Sequence, residues 1–259
     1  MFGTGLCCAG GVVRDASEPD SSRGVPSRSM EMTPQRWEFT CGYLREVFGR
    51  EDAHLAGLMG RAVAAGLPDI AVSADVGRLL MMLCSMTNGG QGARLALELG
   101  TLAGYSGIWI ARGLAPSGKL LTVEPEAKHA DFAEREFQAA GVSGRVRVLR
   151  TTALFALDEL MREHGPGSFD FVFLDALKEE YPAYFERAAL LLRVGGLLAA
   201  DNALGSGSWW IDTPRGESVL RDAVDRFNRM AAGDERFAAA CVPIREGVLI
   251  ARKMAGEKR

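Results

Sequence analysis

The sequence predicts an α/β fold in which a doubly wound, mostly parallel sheet lies between layers of helices. Five short segments are mainly apolar, and most do not alternate regularly with polar residues: 95–99, 119–124, 146–149, 170–174 and 196–200. Strands of this kind are covered on both faces, as in a parallel sheet. Helical patterns separate these segments, and regular alternation of strand and helix is typical of this fold class.

The segment in front of the first strand is predicted to be helical. Thr33 can cap the first helix, and Pro34 suits its first turn. Its apolar residues recur at helical spacing: Trp37, Cys41, Leu44, Val47 and Phe48. A second helix is expected from Asp52 to Ala65, and a third after Ser73. The third has four apolar positions: Leu79, Leu80, Leu83 and Met86. The glycine-rich stretch 88–92 closes this extension.

The remaining elements complete the fold. Helices are expected near residues 104–113, 126–140, 153–163, 180–192 and 216–232. Two final segments, Phe237–Val242 and Gly247–Lys253, are close enough to pair as antiparallel strands. The sequence therefore predicts a Rossmann-like, seven-stranded sheet whose last strand is antiparallel, flanked by helices and preceded by an N-terminal helical extension.

We expect a single domain over residues 33–259. It would consist of N-terminal helices (33–90) and a Rossmann-like core (91–259). The preceding residues 1–32 resemble a disordered tail because they are rich in small, polar and charged residues, and Met30 or Met32 is an alternative start.

Composition excludes several classes of function. A net charge of −3 gives no electrostatic reason to expect nucleic acid or an anionic membrane as partner. No apolar run reaches the ~18 residues of a membrane span, and no signal-peptide pattern is present, so we expect a cytoplasmic protein. The five cysteines contain no C-x-x-C pair and the three histidines are scattered, which argues against redox and zinc sites.

A glycine turn follows the first strand and indicates a nucleoside cofactor. Gly100 and Gly104 let the backbone approach a ligand and turn sharply into a helix. Their G-x-x-x-G spacing lacks the G-x-G-x-x-G that cradles a dinucleotide pyrophosphate, which argues against NAD, FAD and a dehydrogenase. Glu124, at the end of the second strand, is placed to accept hydrogen bonds from ribose hydroxyls. Ala153 is expected against the adenine edge, and Ser106 is expected to donate to the cofactor's carboxylate.

Each of these pieces alone is common in proteins, but together they favour S-adenosyl-L-methionine (SAM). A serine hydrolase is excluded because the segment from Gly104 to Ile108 lacks the last glycine of G-x-S-x-G.

Three oxygen ligands follow two other predicted strands. Asp175, Asp201 and Asn202 suit Mg²⁺, with Mn²⁺ or Ca²⁺ as alternatives, and leave positions for two neighbouring substrate oxygens and a water. Lys178 follows one helical turn after Asp175 and can act as general base if a nearby cation and desolvation lower its pKa. The alternative is a surface ion pair between Asp175 and Lys178, with Asp201 and Asn202 capping a loop.

Six segments together resemble the cation-dependent class I O-methyltransferases, the group that contains caffeoyl-CoA and catechol O-methyltransferases and many bacterial members. They are Val72 to Gly77, Glu98 to Ser106, Asp175 to Tyr181, Leu191 to Gly196 leading to Asp201 and Asn202, Arg226 to Asn228, and Pro243 to Gly247. The resemblance extends from about residue 34 to residue 254.

The resemblance implies roles for individual residues. Asp175, Asp201 and Asn202 would be metal ligands, and Lys178 the base. The implied cofactor contacts are Val72, Glu98, Gly100, Thr101, Ser106, Glu124 and Ala153; we add Gly104 from the turn and Asp175, which we also count as catalytic. Homodimers are frequent in the family, with the N-terminal helices at the interface and at the acceptor pocket.

The chain departs from the family pattern at Leu177, where many relatives have a second Asp. Trp209 and Trp210 follow the metal ligands in a glycine-rich loop. They can form an apolar wall for a flat aromatic acceptor, or they can be core or dimer-contact residues.

The sequence thus predicts an enzyme that transfers a methyl group from SAM to a metal-bound hydroxyl of a small, catechol-like acceptor. One alternative is a metal-independent methyltransferase of the same fold that acts on another acceptor. The other is a non-catalytic SAM-binding module.

Overall fold

The computed structural model describes residues 33–205 and 214–255 of the 259-residue chain. Trp209, Trp210 and the proposed tail lie outside the described residues. The helices are α1 (Pro34–Phe48), α2 (Ala53–Ala64), α3 (Ala74–Gly90), α4 (Tyr105–Arg112), α5 (Ala127–Ala139), α6 (Ala153–His164), α7 (Tyr181–Leu191) and α8 (Val219–Gly233). The strands are β1 (Ala93–Leu99), β2 (Leu114–Val123), β3 (Val146–Leu149), β4 (Phe169–Leu174), β5 (Leu192–Ala200), β6 (Phe237–Val242) and β7 (Val248–Lys253).

The seven strands form one sheet in the order β3-β2-β1-β4-β5-β7-β6. Strands β1 to β5 are parallel to their neighbours, whereas β7 runs antiparallel to β5 and to β6. The strand order reverses between β1 and β4, where the chain leaves one half of the sheet for the other. The predicted doubly wound sheet with an antiparallel last strand is therefore confirmed.

Apolar residues on both faces of the strands explain the layers of helices. Leu97 and Leu99 of β1 pack in a core cluster with side chains of α6, α7 and α8. The alternate residue Ala96 packs in a second cluster with α2, α3, α4 and α5. Successive side chains of a strand point to opposite faces, so one apolar strand supplies both cores.

The N-terminal helices begin at the predicted caps. Thr33 Oγ1 accepts a hydrogen bond from the Arg36 N–H at 3.3 Å, and Asp52 Oδ1 accepts one from the Leu55 N–H at 3.0 Å. The apolar pattern of α1 correctly predicted a helix, yet none of its residues is buried. Helix α3 loses regular geometry at residues 87–89, where the predicted glycine-rich closure begins.

Strand β2 begins five residues earlier than its predicted position. Its register with β1 is irregular: Ala93 pairs with Leu114, but Leu95 pairs with Lys119. The residues between these two pairs form a bulge. They include Pro116 and Gly118, which are typical of turns, so the apolar pattern predicted the strand only from residue 119. In the described part of the chain, no helix is both long and apolar enough to cross a membrane.

Candidate active site

A cavity of about 630 Å³ lies at the carboxyl ends of the parallel strands. This is the edge at which doubly wound sheets bind ligands. Its lining includes eight residues that the sequence singled out: Val72, Gly100, Thr101, Ser106, Glu124, Asp175, Lys178 and Asn202. The predicted cofactor turn and most of the predicted metal set thus meet in one cavity.

The glycine turn between β1 and α4 packs against the end of β4. Gly100 has φ +101°, and a Cβ built on it would lie 2.2 Å from the carbonyl oxygen of Asp175. Gly104 has φ +85° and precedes α4 directly; a Cβ there would lie 2.9 Å from the Phe137 ring. Both positions require glycine, although Gly104 supports the turn from behind and does not line the cavity.

Glu124 is held at the cavity wall by backbone amides. Its Oε2 accepts the Leu102 N–H at 2.8 Å, and its Oε1 accepts the Glu126 N–H at 3.0 Å. The side chain is buried, and each carboxylate oxygen retains a second lone pair. The geometry therefore leaves Glu124 able to accept hydrogen bonds from a diol in the cavity.

Glu98 lies beneath the cavity rather than in its wall. Its carboxylate accepts hydrogen bonds from Ser106 Oγ and Thr122 Oγ1, each at 2.6 Å. Glu98 has no exposed surface, and this complete burial raises its pKa to about 7. The two hydroxyl groups lower the pKa, but by less than burial raises it. Thr101 lines the cavity and joins this network through Thr122 Oγ1 at 2.6 Å.

This network changes how two predicted contacts are understood. The hydroxyl of Ser106, expected to donate to the cofactor, donates to Glu98 in the structure. Glu98 stabilises the turn from below, and direct contact with the cofactor stays a prediction. Ala153 likewise begins α6 inside the core and does not line the cavity, so its contact with adenine also stays a prediction.

The three predicted metal ligands follow the neighbouring strands β4 and β5. Strand register holds the strand ends together: the Asp175 N–H donates to Leu99 O at 2.9 Å, and the Asp201 N–H donates to Leu174 O at 3.1 Å. Asn202 has φ +57°, a conformation that Asn tolerates better than most residues. Asp175 and Asn202 line the cavity, and Asp201 lies behind them with 2% of its surface exposed.

The surroundings of Asp201 fit a cation. Its Oδ1 is buried and has no hydrogen-bond partner among the described residues. Burial and the nearby Asp175 charge raise its pKa to about 7, which means that the ionised form lacks a sufficient counter-charge. Two carboxylates and an amide oxygen form a hard donor set. In the described ranges, no group of three or more His, Cys, Asp or Glu side chains forms a metal cluster, so any site here depends on Asn202 as the third ligand.

Lys178 forms an ion pair with Asp175, with 2.6 Å between Nζ and Oδ1. Both side chains are largely buried at the cavity, so the pair is not the surface contact considered as the alternative. Burial lowers the pKa of Lys178, but the charges of Asp175 and Tyr181 raise it more, so the ammonium form is favoured. The lowering of the Lys178 pKa that the sequence predicts beside a bound cation stays a prediction.

Two further residues complete the site. Tyr181 Oη lies 2.7 Å from Lys178 Nζ and donates to Leu174 O at 3.0 Å, which ties the lysine to the end of β4. Arg245 lines the cavity, and its Nη1 lies 3.8 Å from Asp201 Oδ2. Both stand in segments that carried the family resemblance, but only the fold brings them close to the predicted metal ligands.

The comparisons with known proteins agree with this geometry. The family model described as O-methyltransferase matches residues 46–254. A catechol O-methyltransferase of Niastella koreensis is 38% identical over 199 residues, covering 77% of this chain and 87% of that protein. A caffeoyl-CoA O-methyltransferase of Eucalyptus globulus is 34% identical over 186 residues, covering 70% and 74%.

A solved structure is similar over nearly the whole described fold. It is an O-methyltransferase from Streptomyces achromogenes involved in tomaymycin synthesis, in complex with SAM. It has a TM-score of 0.74 and 34% sequence identity, and the match covers 87% of this chain and all of that chain.

A Rossmann-like sheet with a nucleoside-type turn and an adjacent oxygen-rich site defines a class I methyltransferase. The chain belongs to the O-methyltransferase family. The predicted SAM-dependent O-methyl transfer is thereby confirmed as its class of reaction.

Proposed function

We propose that this enzyme methylates one hydroxyl of a small aromatic vicinal diol beside a divalent cation, with Lys178 as general base. Asp175, Asp201 and Asn202 would hold the cation, with Mg²⁺ as the first choice. The single observation that carries this proposal is the buried, unpartnered Oδ1 of Asp201 next to a second carboxylate at the cavity that contains the cofactor turn.

The cavity lining supports a flat, partly apolar acceptor. Ile70 and Leu177 both line the cavity and are more than 60% exposed. Exposed apolar side chains at a cavity mouth suit an aromatic ring better than a highly charged substrate. Leu177, which departs from the family pattern, adds to this apolar surface.

Different residues of the chain would bind the cofactor, bind the cation and accept the proton. Glu124 and the Gly100 turn would hold the nucleoside of SAM, which supplies the methyl group. A cation bound at the two carboxylates would lower the pKa of the acceptor hydroxyl and offset the charge that now favours ammonium at Lys178. Lys178, once neutral, would take the proton of the acceptor hydroxyl at Nζ; the oxygen would then accept the methyl group from the SAM sulfur, and S-adenosylhomocysteine would leave.

Calorimetry on metal-stripped protein tests the site. S-Adenosylhomocysteine should bind with or without Mg²⁺, whereas 4-ethylcatechol should bind only when Mg²⁺ is present. Asp201→Asn should lower turnover by about 100-fold or more and leave S-adenosylhomocysteine binding intact. Glu235→Gln, at an exposed acid outside the cavity, is the matched control.

The outcomes separate the alternatives. Full turnover in excess chelator would instead support a metal-independent methyltransferase. Cofactor binding without turnover of any hydroxylated or amino acceptor would support a non-catalytic module.

The base is tested by Lys178→Arg. Arginine keeps the positive charge but cannot release a proton near neutral pH. We expect kcat to fall by about 10²–10⁴-fold with little change in cofactor affinity. An unchanged kcat would remove Lys178 from the proton transfer.

A homodimer is the assembly we propose. Phe39 and Tyr43 lie one turn apart on α1 and are both more than 50% exposed, although they are large and apolar. An apolar helix face of this kind favours burial against a second copy. Equilibrium sedimentation should give a dimer for the natural chain and a monomer for Phe39→Ser/Tyr43→Ser; a monomeric natural chain would contradict this.

The single-domain boundaries and the cytoplasmic location stay predictions. Limited proteolysis, in which a fragment beginning near residue 33 should persist, tests the first of these.

A further inference from the structure

A second cavity, of about 370 Å³, adjoins the candidate active site between α1 and the start of α3. It is lined by Cys41, Arg45, Ala71, Ser73, Asp75, Arg245 and Glu246. Three of these residues, Ala71, Arg245 and Glu246, also line the first cavity. The two cavities therefore adjoin at these three residues.

Asp75 presents an unpaired carboxylate to this second cavity. Only 6% of the residue is exposed, and its Oδ1 is buried without a hydrogen-bond partner among the described residues. No Lys, Arg or His nitrogen within residues 33–205 and 214–255 forms an ion pair with it. The neighbouring Ser73 Oγ is also buried and unpartnered in the same part of the chain.

A buried carboxylate of this kind requires compensation. Desolvation of an unpaired charge is strongly unfavourable, and the N-terminal dipole of α3 offsets only part of it. Arg245 is not free to supply the missing charge, because its Nε is paired with Glu246 and its Nη1 donates to Ala71 O at 3.3 Å. Arg45 also lines the cavity, but within the described residues neither arginine forms an ion pair with Asp75. The cavity thus offers the buried Asp75 carboxylate and the Ser73 hydroxyl as unused hydrogen-bond acceptors.

We propose that this cavity is a subsite for a protonated amino group carried by the methyl acceptor, with Asp75 as its counter-ion. An ammonium group supplies both the positive charge and the N–H donors that Asp75 and Ser73 lack. A carboxylate substituent would meet Asp75 with like charge, and a neutral substituent would leave it unpaired. The inference rests on the proposed function, since it assumes that the acceptor ring occupies the first cavity.

The test compares three catechols that differ in the charge of one substituent. They are 4-(2-aminoethyl)catechol, 4-ethylcatechol and 3-(3,4-dihydroxyphenyl)propanoate. Their affinities are measured by calorimetry on the full chain with Mg²⁺ and S-adenosylhomocysteine, and their turnover is measured separately with SAM. We expect the amine to bind at least about tenfold tighter than the ethyl compound, and the carboxylate to bind weakest.

Asp75→Asn keeps the shape of the side chain and removes its charge. It should abolish the preference for the amine and leave the affinity for 4-ethylcatechol unchanged. Glu46→Gln removes an exposed charge from the facing helix α1 without touching the cavity, and should keep the preference. Unchanged affinity for S-adenosylhomocysteine in both variants shows that they are folded.

The outcomes separate the subsite from the proposed function. Equal affinities for the three catechols in the natural chain, or an amine preference that survives in Asp75→Asn, would overturn the subsite even if all three are methylated. Amine-selective binding without turnover would support the subsite and contradict the proposed function. Failure of all three to bind would overturn both.

Discussion

The buried carboxylate of Glu98, next to the cofactor turn, makes the stability of the fold depend on pH. It receives hydrogen bonds from Ser106 at the start of α4 and from Thr122 in β2, and it has no exposed surface. Burial is the main cause of its raised pKa, about 7 against an ordinary value of 4.5. The folded state therefore holds a proton on Glu98 at pH values where the unfolded chain has released it.

The stability of the protein should accordingly fall between about pH 4.5 and pH 7. In that window the folded state binds more protons than the unfolded state, so each step upward in pH favours unfolding. The contribution of Glu98 is fully present below pH 4.5 and is lost as the pH rises through 7, by on the order of 3 kcal/mol.

Urea denaturation at pH 4.5, 6 and 8 checks this titration. Glu98→Gln keeps a group that can both donate and accept, so its loss of stability across the window should be smaller than that of the natural chain. Glu235→Gln, at an exposed acid, should follow the natural chain. A pH profile that is the same for all three proteins would contradict the assignment to Glu98.

Gly100 tests the close approach of the cofactor turn to β4. A methyl group there would meet the Asp175 carbonyl oxygen at 2.2 Å, in a backbone conformation that alanine disfavours. Gly100→Ala should destabilise the fold by about 2 kcal/mol or more and weaken S-adenosylhomocysteine binding at least about tenfold.

The matched control for Gly100 is Gly165→Ala. Gly165 also has a positive φ, +73°, but a Cβ there would have no neighbour within 4 Å. It should show the backbone penalty alone and bind the cofactor normally. Equal cofactor affinity in the two variants would mean that the turn does not shape the binding site.

Helices α3 and α4 pack so closely that one residue of α3 has room only for hydrogen. A Cβ on Gly77 would lie 2.3 Å from Cδ1 of the buried Trp109 indole. Gly77→Ala should therefore destabilise the protein by about 1–3 kcal/mol, because the indole must move within a packed core.

Gly60 provides the contrast for that helix contact. It lies inside α2 with open space around its Cα, so Gly60→Ala should stabilise the protein by about 0.5–1 kcal/mol through backbone entropy. Thermal denaturation of both variants measures the difference. A stabilised Gly77→Ala would show that α4 is free to shift away from α3.

The elements also show what sequence patterns can and cannot predict. Apolar periodicity predicted β1 and α7 correctly because the spacing of apolar residues reflects which face of an element is buried. The spacing of glycines predicted the cofactor turn. The same periodicity in α1 predicted a helix correctly, but it could not reveal that the apolar residues stay exposed. The ion pair of Lys178 and the phenol of Tyr181 depend on where the end of β4 meets the next helix, which no local pattern records.

At the scale of the whole molecule, the site depends on contacts between distant segments. The start of α3, the loops after β1, β4 and β5, and the loop before β7 all contribute residues to these two adjoining cavities. Tertiary folding therefore forces Asp175 and Asp201 close together, and the repulsion between them is part of the cost of the native state. A cation that binds only the folded arrangement would remove this repulsion and stabilise the entire fold.

Thermal unfolding should consequently depend on the divalent cation. Binding at about 100 times the dissociation constant contributes about 2.7 kcal/mol, which corresponds to a rise in Tm on the order of 5 °C for a chain of this size. Mg²⁺ should produce this shift in the natural chain and in Glu235→Gln. In Asp201→Asn it should not, while S-adenosylhomocysteine should still raise Tm in all three because the cofactor turn is intact. An equal rise in Tm with Mg²⁺ in Asp201→Asn would mean that the cation binds elsewhere. No rise in Tm in the natural chain would contradict a cation site at Asp175 and Asp201, and the repulsion between these buried carboxylates would then have no counter-ion to offset it.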